Sequence, residues 1–341
     1  MSYITMVLGW ILKLCSMLTG NYGIAIIIFT ILIKALLLPL TVKQQKSMLK
    51  TQKLQPLLME LQEKYKNDKD KLSQETMKLY QKYQVNPMSG CLPMLIQLPI
   101  IMMLYFVVRN PVIYIMGFGE NDVWRIISAV IECGESNPDV LNSFLTSLNI
   151  DSLDKLTADN YRMFGMYSIQ IARFLHATPE VMNNHWITEL GKNLEVINFN
   201  FLGLDLSQTP NLNAVFGLFT GQAHLLNLQT VLLWIIPLLS GLSSWAVSKL
   251  SQMQNPQQPK KDANGEEAPN PMKSMMIFMP IMSAWIAFTL PAAVGLYWVI
   301  SNILSMVQQA VMTKIITPGI SDEQIEGEIL NAKKSRKKRK K

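Results

Sequence analysis

Lys34 is the residue whose type and place demand a chemical explanation. It sits in the middle of an apolar run, residues 21–42, that carries no other charge. A lysine this deep cannot easily reach a membrane surface by extending its stem. An ammonium near the centre of a bilayer costs roughly 2.5–3.5 kcal/mol even on the gentlest scale. It must therefore face water or a partner. The polar side chains at comparable depth in other apolar runs are Gln97, Ser240, Ser243, Ser244, Ser283, Ser301 and Asn302, with Thr30 one helical turn away in the same run. None is an acid. A cation among hydroxyls and amides points to a water-filled cavity, and the chemistry open to it is attraction of an anionic group. Each hydroxyl taken singly is more simply a helix-packing residue.

Other chemistries find no support. Cys15, Cys91 and Cys133 are scattered and form no C-x-x-C pair, which argues against a disulfide framework or a zinc site. His176, His185 and His224 show no metal-ligand spacing. There is no P-loop, nucleophile elbow, zinc-protease motif or dinucleotide fingerprint. The expectation is a protein without catalytic residue, cofactor or metal.

The elements that hold Lys34 in place follow from where charge is missing. Apolar residues make up 49% of the chain and charged ones only 16%, against about 25% charged in soluble domains. A helix rises about 1.5 Å per residue, so an apolar run of about 20 residues crosses a ~30 Å hydrocarbon layer. Five runs qualify: 21–42, 91–110, 229–249, 273–290 and 291–313. The last two are separated by Pro291 and almost no loop, so they form a hairpin. Residues 1–20 read as an amphipathic helix lying in the interface, because their only charge, Lys13, falls inside the apolar stretch rather than before it as in a secretory leader.

Orientation follows from the basic residues. Residues 43–88 hold ten lysines against five acids, and residues 314–341 end in a run of eight basic side chains. Residues 111–228 hold twelve acids against five basic residues. The loop and tail are therefore cytoplasmic, and the N-terminus and the acidic segment lie outside. Within 43–88, Leu54, Leu58, Leu61 and Tyr65 recur at helical spacing, and Leu72, Thr76, Leu79 and Tyr83 repeat it after a polar break. Two such faces predict a cytoplasmic antiparallel helical hairpin. Its lysines suit anionic lipid headgroups or an acidic partner. Residues 250–272 read as a low-complexity linker. In the outer segment, only residues 160–176 show an amphipathic helix.

Three stretches together carry a resemblance. They are Asn21-Tyr22-Gly23 running on to Lys34 and Leu38-Pro39-Leu40, then Asn86-Pro87-Met88-Ser89-Gly90-Cys91-Leu92-Pro93 with Gln97, and Leu290-Pro291-Ala292-Ala293-Val294-Gly295-Leu296-Tyr297-Trp298. In this order and at these intervals they resemble the YidC family of membrane-protein insertases, of the five-span Gram-positive, clostridial-like type. The resemblance implies an all-α integral membrane protein of the plasma membrane, with five transmembrane helices around a hydrophilic groove open to the cytoplasm. It implies substrate contacts at Thr30, Ile101, Ile286 and Trp298 and a polar groove residue at Gln97. It also places a basic groove residue at Lys34, where most relatives carry arginine. Lysine keeps the charge but loses the planar fork. The implied partners are nascent membrane proteins, the ribosome through the basic tail and hairpin, the SecYEG translocon and anionic lipids. A transporter using Lys34 as counterion would carry an internal repeat, and the halves show none. The outer segment matches neither the short loop of many Gram-positive relatives nor the family's periplasmic domain, which precedes the first core span.

Overall fold

The computed structural model describes residues 2–66, 68–83, 92–119, 122–152, 161–191, 196–210, 228–254 and 271–319. The motif residues 86–91, the linker from 255 onward and the basic tail beyond Gly319 lie outside them, as does the side chain of Gln97. The chain divides into two compact units: Met1–Leu32, Ile100–Ser244 and Pro280–Ser301 in one, Ile33–Pro99, Trp245–Met279 and Asn302–Lys341 in the other. Helix dominates both. Among the described residues, three helical stretches are long and apolar enough to cross a membrane: Tyr22–Ser47, Val231–Met253 and Ala292–Lys314. Shorter apolar stretches are Tyr3–Thr19, Pro99–Arg109 and Phe278–Thr289.

In the first unit, helix α1 (Ser2–Thr19) packs Leu8, Gly9, Leu12 and Cys15 against a π-helical turn, Val112–Met116. The opposite face of α1 leaves Tyr3, Val7, Trp10, Leu14 and Leu18 exposed. Helix α2 (Tyr22–Lys53) follows after Gly20, whose φ of 61° makes the turn. At 32 residues, α2 is about 48 Å long, well beyond a ~30 Å hydrocarbon layer. Helix α5 (Leu92–Arg109) runs into the π-helical turn through Pro111.

The stretch between α5 and the later apolar helices has its own core. Helices α6 (Val123–Ser136), α7 (Pro138–Leu148) and α8 (Tyr161–Ala177) bury Ile126, Val130, Phe144, Leu148, Ile171 and Leu175 against each other. Phe144 and Phe174 meet edge to face at 4.9 Å. Asn137 caps α7 by accepting from the Asp139 N–H, with Pro138 in the first turn, where its missing N–H costs nothing. Short helices α9 (Pro179–Met182) and α10 (His185–Thr188) close over α6, where Trp186 stacks edge to face on Trp124 at 5.3 Å.

A two-stranded hairpin follows, β1 (Asn200–Phe201) and β2 (Leu204–Asp205), paired Asn200 to Asp205 and Phe201 to Leu204. Its turn residues Leu202 and Gly203 both take positive φ, 53° and 80°, the twist that two-residue hairpins require. This hairpin and its flanks tie two long helices at their starts. The Tyr22 N–H donates to Asn198 O at 3.1 Å, and Asn21 Nδ2 donates to Asn200 O at 2.8 Å. Asn21 Oδ1 meanwhile accepts from Gly23 and Ile24, capping α2. At the other end of the strap, the Ala292 and Ala293 N–H groups donate to Gln208 O and Leu206 O at 2.8 and 2.9 Å. The first N–H groups of a helix have no partner within it. Residues 198–208 therefore supply carbonyls to donors that would otherwise be orphaned.

The remaining helices are α11 (Leu228–Leu233), α12 (Ile235–Gln254), α13 (Pro271–Thr289) and α14 (Ala292–Gly319). The break at Trp234 has a local cause. Pro237 has no N–H to offer the Leu233 carbonyl, and proline is tolerated only in the first turn of the helix that follows. In the second unit, α3 (Gln55–Lys64) and α4 (Lys69–Tyr83) touch one another. Leu58 is buried, while Leu72, Leu79 and Tyr83 are half-buried. Pro56 stands in the first turn of α3, next to the break at Leu54.

Candidate functional site

Lys34 belongs to the second unit and is half-buried on α2. Its Nζ donates to Ser305 Oγ on α14 at 2.8 Å. Ser305 was not among the polar positions expected to surround it. The signal was present: Ser301, Asn302, Ser305, Gln308 and Gln309 recur at intervals of three and four, a polar stripe along one helix. Two amides of this unit are more telling. Gln44 is 7% exposed, and its Nε2 is buried without a hydrogen-bond partner; Gln308 Nε2 is in the same state. A buried donor left unmade costs about 1–3 kcal/mol, so each needs a reason to exist.

The other expected residues fall in the first unit or outside the description. Thr30 is fully buried, and its hydroxyl donates to Ile26 O at 2.6 Å on its own helix. That hydroxyl is spent on backbone. Ile101 is buried, while Ile286 and Trp298 are half-buried. Gln97 lies on α5, and its side chain is among those not described.

The serines sort themselves differently from their sequence pattern. Ser244 Oγ donates to Ser283 Oγ at 2.9 Å, and Ser240 Oγ to Ser283 O at 3.5 Å. Ser243 Oγ returns to Ser240 O at 3.1 Å. Beside them Gly241 lies so close to α13 that an added Cβ would stand 3.1 Å from Ala284 Cβ and 3.3 Å from Pro280 O. Small residues and hydroxyls at a close helix crossing are how apolar helices associate in lipid. This cluster joins α12 to α13.

A family model described as "60Kd inner membrane protein" matches residues 14–319. The chain belongs to this family, that of the YidC insertases. It is an integral protein of the bacterial cell membrane. A protein from Fusobacterium nucleatum, named "Membrane protein insertase YidC", is 50% identical over 190 residues, 53% of this chain and 86% of that one. One of the same name from Syntrophus aciditrophicus is 67% identical over 85 residues, 25% of this chain and 16% of that protein. Another, from Caldanaerobacter subterraneus, is 47% identical over 110 residues, 32% of this chain and 53% of that one. The match thus spans most of the first relative but about half, or less than a fifth, of the others.

Proposed function

We propose that this YidC-family chain inserts nascent membrane proteins by receiving their polar outer ends at Lys34, without nucleotide hydrolysis, alone or with the Sec translocon. The observation that carries the reading is the Lys34–Ser305 contact at 2.8 Å. The cation is held by a neutral hydroxyl, which leaves its charge available. The unpartnered amides of Gln44 and Gln308 extend the same logic, because a water-filled groove or the backbone carbonyls of a passing chain would satisfy them. Ile101, Ile286 and Trp298 serve as apolar contacts for the substrate's own span. Its release into lipid supplies the driving force, at about 0.8 kcal/mol per buried CH₂.

The same reading gives α5 and α13 the role of further spans, five in all. At 18 and 19 residues each is about 27–29 Å long, close to the ~30 Å hydrocarbon layer. The N-terminus and residues 111–228 lie outside, with α1 in the interface. The hairpin of α3 and α4 and the basic tail lie in the cytoplasm and face the ribosome and anionic headgroups. Photocrosslinkers at Ser305, Ile286 and Trp298 should capture a ribosome-stalled nascent chain. One at Leu36, 74% exposed on α2, should capture lipid. Equal capture of the nascent chain at Leu36 would reject the reading.

A further inference from the structure

The first unit contains a polar cavity of about 500 Å³ that no part of the insertion mechanism uses. Its wall includes Arg109, Gln170, Arg173, Ser207, Gln208 and Thr289. Arg109 is the last residue of α5, and Thr289 the last of α13; Leu233, the last of α11, also lines it. Two apolar helices thus end, and a third apolar span begins, at one polar hollow. We propose that this cavity binds the phosphate of an outer-leaflet anionic phospholipid. The inference rests on the five-span reading only in placing these helix ends outside.

The charges in the wall are not equivalent. Asp205 accepts from Arg173 Nη2 at 3.1 Å, from Gln208 Nε2 at 3.1 Å and from the Ser207 N–H at 3.0 Å. Arg173 is therefore fixed and compensated. Arg109 is held differently: its Nη1 donates to Tyr105 Oη at 2.5 Å, and its guanidinium lies 5.7 Å from the centre of that ring. Among the described residues no carboxylate lies within ion-pair reach of Arg109. A guanidinium oriented by an aromatic ring keeps a fork of donors for a phosphate oxygen pair. Gln170 supplies a further polar side chain to the wall, and it brings no charge that would oppose an anion. The volume suits a single headgroup rather than a length of polypeptide. An interfacial position explains why the hollow is polar although apolar helix ends surround it.

The test uses the full-length protein released from nanodiscs of equal phosphatidylglycerol and phosphatidylcholine, with retained lipid read by native mass spectrometry. The parent should keep one phosphatidylglycerol in preference to phosphatidylcholine. Arg109→Gln should lower that retention at least fivefold, and Arg109→Lys less. Gln170→Glu, which adds a like charge while keeping shape, should lower it without removing any arginine. Lys43→Gln, a cytoplasmic control, should leave it unchanged. Retention that is equal for the two lipids, or unchanged in Arg109→Gln, overturns the proposal. Displacement of the lipid by millimolar glycerol 3-phosphate, or by an acidic peptide, would assign the cavity to a soluble anion or to a polypeptide and overturn it equally. Retention is measured without any insertion step, so loss of the insertase reading would not be mistaken for loss of this one.

Discussion

Gly23 is the position where the strap of residues 198–208 presses hardest on the first long helix. A Cβ added there would lie 2.2 Å from Phe201 Cγ, 2.4 Å from Cδ2 and 2.7 Å from Phe201 Cβ, far inside the ~3.5–4.0 Å optimum for carbon pairs. Because the overlap includes Cβ, turning the Phe201 ring cannot relieve it. The hairpin itself must move, straining the bonds from Tyr22 N to Asn198 O and from Asn21 Nδ2 to Asn200 O. Overpacking of this kind costs typically about 1–3 kcal/mol. Gly23→Ala should therefore lower the thermal midpoint of the detergent-solubilised protein by several degrees. Phe201→Ala in the same chain should restore part of the loss, giving a coupling energy of about 0.5–3 kcal/mol in a double-mutant cycle. A neutral Gly23→Ala, or strict additivity with Phe201→Ala, would refute the view that the strap is packed against α2 at this glycine.

Three further outcomes are expected. Gly241→Leu should separate α12 from α13, abolishing disulfide trapping between cysteines placed on the two helices; Ser244→Ala should cost only about 0.6 kcal/mol, the average for such bonds in lipid. Deleting residues 333–341, which carry eight basic side chains, should weaken ribosome binding and flatten its salt dependence, measured by co-sedimentation across a salt titration. Single cysteines at Ser73 and Ser335, in a background lacking the native three, should be shielded from an impermeant thiol reagent in intact cells, while one at Asn183 should be labelled.

Periodicity and charge segregation carried the long helices into view, because a bilayer forbids charge inside and lets it collect outside. The amphipathic stretch at 160–176 corresponds to α8, and the repeating leucines and tyrosines of 54–83 to α3 and α4. The strap was not legible. Its bonds join backbone N–H groups of residues 22, 292 and 293 to backbone carbonyls of 198, 206 and 208, and no side-chain type reports such a pairing. The serines of α12 and α13 looked like company for Lys34 because depth alone placed them, whereas the partners of each were fixed by which helices cross. Ser305 escaped notice for the opposite reason. It belongs to a stripe that continues past Asn302, and only reading the whole stripe at helical spacing isolates it.

The charge at Lys34 is the centre of the account, and insertion of matched substrates differing only in their outer tails tests it most directly. Two substrates with identical spans, one with acidic and one with uncharged outer residues, would be scored by protease protection in vesicles carrying each variant. Lys34→Arg should insert both. Lys34→Glu sets two like charges against each other, a Coulomb term of roughly 4 kcal/mol at about 4 Å and an effective dielectric of ~20, less wherever water screens the pair. It should fail on the acidic tail and lose little on the neutral one. Lys34→Gln should fall between them on the acidic tail alone. If Lys34→Gln inserts the acidic-tailed substrate as well as the parent does, the cation serves only to keep the site hydrated, and attraction of the substrate by charge is contradicted.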